Sequence, residues 1–469
     1  MRRLSQIYDE NVAQLDRLLR VDENFDILKK IMKVGNDELT LYYIDGFIKD
    51  GVMEKLMIYF LSLKSTGGSA DEFSVANLPY VETDVTEDLD TMIHMVMSGA
   101  ALILGSTFSD SAIIVDAREY PARETSEPES DRVMRGARDG FVETLIFNTA
   151  LIRRRIRDTS LTMHYISVGS SSKTDVIVCY LADRADPELV GSIKKRLSSI
   201  KTASLTLGQE SLKECLIRSN WYNPFPKIRM TERPDAAAAQ LYEGSVLIIC
   251  DNTPQVMVLP TTVFDFVQET NDFYFPPATG TYIRAVRFVV FWLTLFLTPV
   301  WLLLVKNPAA VPEWLAFVIP TETGRLPIFV QLLLVELIVD GLRMASMNTP
   351  DMLANSLSIV GGLILGDFAV DIGWLIPEVI LYMAFVAIAN FTQSSYELGY
   401  ALKFFRMGLL ILTQIFNWWG FGFGLIGIIV LLATNKTVNG KRSYLYPIIP
   451  FNGKALLTMF VRVKKRGHE

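Results

Sequence analysis

The sequence predicts an α+β N-terminal half, made of two small α/β units, followed by an α-helical polytopic membrane domain. Two observations predict this division. The first 285 residues mix charged and apolar side chains, with short apolar runs bounded by turn residues, as in a soluble domain. From Phe288 onward, uncharged runs occur at 288–305, 379–396 and 407–435, and each reaches the roughly 18 residues that indicate a transmembrane helix.

Polar segments at 64–72 and 122–132 divide the N-terminal half. We therefore expect a helical segment at 1–64, a first α/β unit at 73–157 and a second at 158–280. The start of the chain has neither an apolar core nor a small-residue cleavage site, which predicts no signal peptide and a cytosolic N-terminal half.

Local patterns predict the elements of the two units. Residues 100–120 and 243–260 each indicate strand, turn and strand, and 99–104 resembles 244–249, which favours an internal duplication. The segment 132–157 has apolar residues near helical spacing, and 174–182 is typical of a buried strand. A helix is predicted at 186–200, with Asp186 as its N-cap and Pro187 at its first position.

The composition gives no indication of an enzyme. Three histidines are scattered, the three cysteines (Cys179, Cys215 and Cys250) have no CxxC spacing, and no nucleophile, phosphate-loop or dinucleotide motif is complete. We expect the cysteines to be buried apolar residues. The net charge of −6 is small for 469 residues. The sequence therefore predicts no catalytic residues, no metal site, no cofactor and no nucleic-acid partner.

The membrane domain is predicted at 284–435, with about four spans at 288–305, 354–373, 377–395 and 408–433. The segment 326–344 is apolar but carries Glu336, Asp340 and Arg343, and we expect an amphipathic or re-entrant helix there. Arg284 and Arg287 precede the first span, and the tail at 436–469 is basic. By the positive-inside rule both ends of the chain are then cytosolic.

Carboxylates inside this apolar half are candidates for an ion path. Asp367 and Asp371 are four residues apart and share a helix face. They either lie at an interfacial turn leading to Pro377, or form part of a carboxylate ring that lines a cation path in an oligomer. Three further acids in apolar surroundings are candidates for the same path, Glu336, Asp340 and Glu378. Gly361, Gly362 and Gly366 have the small-residue spacing that lets helices pack closely.

One cytosolic stretch, 223–275, resembles the A subunits of spore nutrient germinant receptors, the GerA family. The resemblance lies in a PFP segment, a TERPD segment, an EG strand and a D-x-TP turn. The matching residues are Pro224, Phe225, Pro226, Glu232, Arg233, Pro234, Asp235, Gly244, Asp251 and Pro254. Upstream, an RG…LIR helix is similar to the family's and includes Arg135, Gly136 and Arg153. The resemblance runs over roughly residues 95 to 450.

The same residues have local interpretations. Glu232 and Arg233 are expected to form a local ion pair or a subunit contact. The arginines at 153–155 and 157 are expected on a solvated face paired with acids, or against anionic lipid headgroups. Departures from the receptor pattern at 336–350, 391–396 and Ser443 point to a sporulation-operon relative of the receptors.

The resemblance implies a protein of the inner membrane of the bacterial endospore that acts in germination. It also implies a homo-oligomer in the bilayer that conducts ions and works with other spore membrane proteins. A non-conducting scaffold or signal transducer that docks such partners is the competing hypothesis.

Overall fold

The computed structural model describes residues 2–78, 80, 82–108, 110–120, 133, 136–217, 222–269, 271–322, 324–348, 368–393, 395–438 and 444–462. They belong to two compact units, Met1–Arg218 with Ile228–Pro260, and Ser219–Lys227 with Thr261–Glu469. The first unit contains all ten described strands, and the second is helical.

The first sheet is antiparallel throughout and has the order β1-β2-β4-β5-β3. Its strands are β1 (Ile27–Val34), β2 (Asp37–Ile44), β3 (Thr83–Thr86), β4 (Ala101–Gly105) and β5 (Ala112–Val115). Its helices are α1 (Tyr8–Leu19), α2 (Asp50–Ser62), α3 (Ala70–Asn77) and α4 (Leu89–Met97). Alternate strand residues point to opposite faces, so Leu102 packs on the core of α1 and α4, and Ile103 on that of α2 and α3.

The expectation of a helical segment at 1–64 is wrong over β1 and β2. These strands form a hairpin that pairs with β4. Four successive residues of β2, 39–42, are buried, so both faces are covered and the sequence lacks the alternation that marks a half-exposed strand.

The second sheet repeats the first, with the order β6-β7-β9-β10-β8 and antiparallel pairing throughout. Its strands are β6 (Leu161–Val168), β7 (Thr174–Leu181), β8 (Arg229–Thr231), β9 (Val246–Cys250) and β10 (Val256–Leu259). Its helices are α5 (Leu145–Arg155), α6 (Pro187–Ser198), α7 (Gln209–Leu216) and α8 (Pro234–Tyr242). The element order is the same in both halves, which supports a duplication.

Most of the predicted local elements are confirmed. The two strand–turn–strand segments are the antiparallel pairs β4–β5 and β9–β10. Asp186 caps α6 by accepting a hydrogen bond from the backbone N–H of Glu188, and Pro187 is the first helical residue. The helix predicted at 132–157 is shorter, because residues 136–144 are not helical.

Two of the three cysteines lie in strands of the second sheet. Cys179 and Cys250 are buried, and burial raises the pKa of their thiols to about 12 and about 11. Cys215, which was expected to be buried as well, is exposed on α7. It is therefore the thiol open to labelling among the described cysteines.

The described residues of the second unit form six α-helices besides the three-residue helical turn Ala369–Asp371. They are α9 (Asn271–Tyr274), α10 (Pro277–Lys306), α11 (Ile328–Asn348), α12 (Pro377–Phe391), α13 (Tyr396–Thr434) and α14 (Gly453–Phe460). Among the described residues, α10 and α13 are long and apolar enough to cross a membrane. The 15 residues of α12, at the predicted third span, fall short of the roughly 20 that a crossing needs. Most of the predicted span at 354–373 lies outside the described residues.

The prediction of a single span at 408–433 is wrong, because α13 reverses direction within that range. Asn417 has φ 55° and ψ −130°, which breaks the helix into arms at 396–416 and 418–434. Gly424 of the second arm lies against Leu409 of the first, so the arms fold back on each other as a hairpin. The amphipathic or re-entrant helix predicted at 326–344 corresponds to α11, which is one uninterrupted helix of 21 residues.

Candidate functional site: buried charges between apolar helices

Four charged side chains meet between α11 and the first arm of α13. Glu336 and Asp340 are four residues apart on α11, and Lys403 and Arg406 are three apart on α13. Both spacings put the two side chains on one face of their helix. Two acids on one apolar helix therefore face two bases on another.

Every member of this cluster is paired. The Lys403 ammonium lies 3.2 Å from Glu336 Oε1 and also forms an ion pair with Asp340. Arg406 Nη2 donates to Glu336 Oε1 at 2.5 Å, and Arg406 Nη1 donates to the carbonyl oxygen of Thr294 on α10 at 2.7 Å. The cluster thus connects three helices and carries no net charge.

Exposure differs across the cluster. The side chains of Lys403, Arg406 and Glu336 are at most 9% exposed, whereas that of Asp340 is 32% exposed. A single buried charge in an apolar surrounding costs several kcal/mol, on the order of 3–5 when its partner is removed. Because Asp340 is the most exposed of the four, its carboxylate can exchange one cationic partner for another at the lowest desolvation cost.

A small, partly open cavity adjoins the cluster. Besides the four charged groups, its lining includes Arg343, Met383, Val386, Asn390 and Phe391. The Arg343 guanidinium lies 5.0 to 5.3 Å from the centres of three rings, those of Phe391, Tyr396 and Tyr400. Such contacts hold a cation in a weakly polar surrounding.

Two polar atoms at this cavity remain without a hydrogen-bond partner among the described residues. They are Arg406 Nε and Asn390 Oδ1, a donor and an acceptor, and both are buried. Buried polar atoms are normally paired, and those that are not often mark a place for water or an ion. The cavity can therefore take a small polar guest.

The predicted ion-path residues do not come together as one site. Glu336 and Asp340 belong to the charge cluster, whereas Asp371 is exposed at the end of the helical turn Ala369–Asp371. Glu378 lies in the first turn of α12, and its buried Oε2 has no hydrogen-bond partner within the described part of the chain. Asp367 and the packing glycines Gly361, Gly362 and Gly366 lie outside the described residues.

Sequence reasoning missed Lys403 and Arg406. Both bases lie in the predicted membrane domain but before its last predicted span, which begins at residue 408, so they were not among the candidates. A usable signal existed, since two bases three residues apart in an apolar stretch complement two acids four apart in another.

A second charge cluster lies where α10 begins. The carboxylate of Asp272 is fully buried and pairs with Arg284 at 3.2 Å and with Arg287 at 2.9 Å. Glu269 adds a third pair, to Arg287 at 2.7 Å. The two arginines that precede the first predicted span are therefore neutralised by acids of the adjoining segment, and they are buried.

The opposite end of α10 is joined to the turn of α13. The side-chain amides of Asn307 and Asn417 exchange two hydrogen bonds, at 2.7 and 2.9 Å. The Lys306 ammonium donates to the carbonyl oxygens of Thr413 and Gln414, the last turn of the first arm. A cation at a helix C-terminus is favourable, so Lys306 stabilises the break.

The TERPD residues have structural contacts within the first unit. Arg233 is fully buried and pairs with Asp235 at 2.8 Å, not with Glu232 as expected. Its Nη2 also donates to the carbonyl oxygen of Ala137, near Gly136 in the RG segment. Glu232 instead accepts a hydrogen bond from Gln255 at 2.8 Å. Pro234 is the first residue of α8, where a missing N–H has no cost.

Other family-motif residues shape turns and helix starts. Asp251 accepts a hydrogen bond from the backbone N–H of Leu145, the first residue of α5. Pro254 follows in the β9–β10 turn. Gly244 has φ +88°, and a Cβ there would lie 2.9 Å from a backbone oxygen, so only glycine fits this turn. Arg135 lies outside the described residues.

The PFP segment belongs to the helical unit. Phe225, between Pro224 and Pro226, stacks on Phe405 of α13 with ring centres 4.7 Å apart. Tyr444 donates a hydrogen bond from its hydroxyl to the carbonyl oxygen of Pro226 at 2.6 Å. Burial raises the pKa of Tyr444 well above its ordinary value, so the hydroxyl remains a donor.

Comparisons with known proteins agree with one another. A scan of protein families matches residues 14–468 to "Bacillus/Clostridium GerA spore germination protein". The chain is 38% identical over 450 residues to stage V sporulation protein AF of Bacillus subtilis, covering 95% of this chain and 90% of that protein. It is 27% identical to spore germination protein KA of the same organism, covering 97% and 84%.

A solved structure is similar to part of the chain. It is the crystal structure of the N-terminal domain of the A subunit of the Bacillus megaterium spore germinant receptor GerK3. The match has 21% identity and a TM-score of 0.41, and covers 55% of this chain and 96% of that one.

Proposed function

The chain belongs to the GerA family of spore germination proteins, and we propose that it is a membrane subunit whose oligomer conducts ions during germination. Its place is the inner membrane of the endospore, with both termini in the cytosol and other spore membrane proteins as partners. Support comes from the family, from α10, which is long and apolar enough to span, from the apolar arms of α13, and from the basic residues at 436–466.

The observation that carries the proposal is the cluster of Glu336, Asp340, Lys403 and Arg406. Charges inside apolar membrane helices are costly and commonly line the path of an ion. Here they surround a cavity, and Asp340 is the exposed member. In the proposed mechanism an entering cation takes the place of Lys403 beside Asp340, and the closed ion pairs correspond to the resting state.

The test is conductance of the purified full chain in planar bilayers. Asp340→Asn removes the proposed cation contact while Lys403 keeps its pair with Glu336. We expect the ratio of cation to anion permeability to fall several-fold, read as a shift in reversal potential. The matched control is Glu313→Gln, which removes one exposed carboxylate from the same half and should leave the ratio unchanged.

Three outcomes contradict the proposal. An unchanged permeability ratio in Asp340→Asn excludes this cluster from the path, and an equal change in both variants reflects only net charge. A stable oligomer that carries no current supports the alternative, a scaffold or signal transducer that docks other germination proteins. That alternative is favoured by one observation, since the cluster is fully neutralised within the chain and can act as a purely structural connection.

The two functions differ in spores as well. For a channel, Asp340→Asn spores should release ions at an altered rate with the protein present at its usual level. For a scaffold, Asp340→Asn spores should release ions normally, while loss of the whole chain slows release.

A further inference from the structure

The helix α10 and the first arm of α13 are joined at two levels. At one level, Arg406 donates to the carbonyl oxygen of Thr294. At the other, the side chains of Asn307 and Asn417 exchange hydrogen bonds. The partners are 112 residues apart at the first level and 110 at the second, so the two helices run in the same direction with a nearly constant register. From Thr294 to Asn307 the rise is about 20 Å at about 1.5 Å per residue.

Two threonines between these levels have unpaired hydroxyls. Thr298 of α10 and Thr413 of α13 are fully buried, and neither Oγ1 has a hydrogen-bond partner within the described part of the chain. Thr298 shares a helix face with Thr294, four residues earlier, and Thr413 shares one with Arg406, seven residues earlier. Because Arg406 reaches Thr294, both faces lie in the contact between the two helices.

A third threonine of this contact has the usual arrangement. Thr294 is equally buried, and its hydroxyl donates to the carbonyl oxygen of Val290, four residues earlier, at 2.9 Å. Threonine in an apolar helix ordinarily makes this bond. The hydroxyls of Thr298 and Thr413 do not, so they need a partner from outside their own helix.

The same contact contains an unpaired acceptor and a further unpaired donor. Pro299 lies inside α10 and has no N–H, so the carbonyl oxygen of Leu295 lacks its helical donor. In membrane helices such a carbonyl is paired again by a neighbouring side chain or by ordered water. The buried Nε of Arg406 is also without a partner among the described residues. Buried polar atoms that remain unpaired mark a place for water.

We propose that water occupies the contact between α10 and the first arm of α13, and that Thr298 and Thr413 line a hydrated path from the charge cluster to the turn of α13. Water both donates and accepts, and a buried water molecule makes about three hydrogen bonds, so it can pair the two hydroxyls and the Leu295 carbonyl. A cation that leaves Asp340 then moves along hydroxyl and carbonyl oxygens, which replace part of its hydration shell. The inference rests on the proposed function and extends the ion path from the cluster to the far end of α10.

The first test is thermal unfolding of the full chain in nanodiscs, which requires no current. Thr298→Val and Thr413→Val nearly keep the side-chain shape and remove the hydroxyl. In a dry contact the loss of an unpaired polar group raises the unfolding temperature, whereas in a hydrated contact the lost bonds to water leave it equal or lower. We expect no increase in either variant. The control is Thr294→Val, which loses a bond to protein and should unfold at a lower temperature. An increase in both Thr298→Val and Thr413→Val overturns the hydrated path.

The second test measures whether a small cation reaches these positions. Thr298→Cys and Thr413→Cys, in a Cys215→Ser background, are exposed to Ag⁺ in nanodiscs, and the remaining free thiols are counted after unfolding. The parent with Cys215→Ser alone gives the reactivity of the two buried cysteines. The matched controls are Leu302→Cys and Leu410→Cys, which are 2% exposed on the same two helices but belong to an apolar cluster. We expect the thiols at the threonine positions to react several-fold faster than those at the leucine positions.

The outcomes separate this inference from the proposed function. Equal rates at the threonine and leucine positions, or a fast reaction at only one threonine, overturn the hydrated path whether or not the chain conducts. Fast reaction at both threonines in a chain that carries no current supports the hydrated path and overturns the proposed function. In a chain that conducts, Thr298→Val and Thr413→Val should each lower the single-channel conductance several-fold, and Thr294→Val should not. Unchanged conductance in the first two overturns the path and leaves the role of the charge cluster intact.

Discussion

At the scale of single residues, Arg153 shows best how a buried charge can hold two repeats together. It lies on α5, and its guanidinium donates two hydrogen bonds to Asp26, at 2.8 and 2.9 Å. Asn24 accepts another, and Asp26 and Asn24 both precede β1 in the first repeat. Since Arg153 is fully buried and Asp26 is 2% exposed, the pair is shielded from water.

The first prediction concerns this pair. Asp26→Asn leaves the Arg153 charge buried without its counter-charge, and we expect the free energy of unfolding to fall by about 3–5 kcal/mol. Hydrogen–deuterium exchange of β1 and β6 in the full chain measures the loss. The control is Asp139→Asn, whose partner Arg155 on the same helix is 22% exposed, and which should cost at most about 1 kcal/mol. Equal losses in the two variants would show that burial does not decide the strength of these pairs.

The sequence could not have singled out Arg153. Four arginines follow one another almost without a break, and their spacing indicates a solvated or lipid-facing surface. The partner of Arg153 is 127 residues away, so only the packed repeats distinguish it from its neighbours. Arg155 does pair with an acid, Asp139, as expected for a partly solvated face.

At the scale of elements, the glycines of the second arm of α13 explain how two apolar helices pack so closely. A Cβ on Gly420 would lie 1.9 Å from the carbonyl oxygen of Leu412 in the first arm. A Cβ on Gly422, by contrast, would meet nothing within 4 Å. The glycine repeat therefore contains both a contact face and an open face.

The second prediction uses this difference. Gly420→Ala must push the two arms apart, and we expect it to destabilise the helical unit by about 1–3 kcal/mol or more. Gly422→Ala removes the helix-weakening effect of glycine without a clash and should be neutral or stabilising by up to about 1 kcal/mol. Thermal unfolding of both variants in nanodiscs compares them. A loss of stability in Gly422→Ala as large as in Gly420→Ala would mean that the arms do not pack as described.

Close packing through glycines was foreseeable from the sequence, but the hairpin was not. At about 1.5 Å per residue the 39 residues of α13 would extend about 58 Å, nearly twice a hydrocarbon core. The length of the apolar run thus already argued against one crossing. The position of the break at Asn417 depends on Asn307 and Lys306, which are 110 residues or so away and invisible to a local pattern.

At the scale of the whole chain, the repeat of the two sheets could be predicted from the sequence only in part. The short similarity of 99–104 to 244–249 does reflect a repeat, since β4 and β9 occupy the same place in their sheets. The N-terminal hairpin of β1 and β2 lacks polar–apolar alternation, so the extent of the first repeat could not be predicted.

In the helical unit, α11 runs antiparallel to α10. Leu332 of α11 packs in one cluster with Trp301 and Leu302 near the end of α10. Four residues later, Glu336 is joined through Arg406 to Thr294, earlier in α10. α11 is therefore antiparallel to α10. Its three charged residues lower its mean hydropathy below that of α10.

The third prediction concerns α10, which is long and apolar enough to cross a membrane, so that its two ends should face opposite sides. Trp314, 75% exposed after the end of α10, then lies on the side away from Lys454 in α14, whose Thr458 carbonyl oxygen accepts a hydrogen bond from Arg284 near the beginning of α10. In sealed inverted vesicles carrying Cys215→Ser, an impermeant maleimide should label Lys454→Cys at once and Trp314→Cys only after detergent. Val75→Cys, in the N-terminal half, is the control and should behave like Lys454→Cys. Immediate labelling of Trp314→Cys would mean that α10 does not cross, and the buried charges beside Thr294 would then belong to a helical core outside the bilayer.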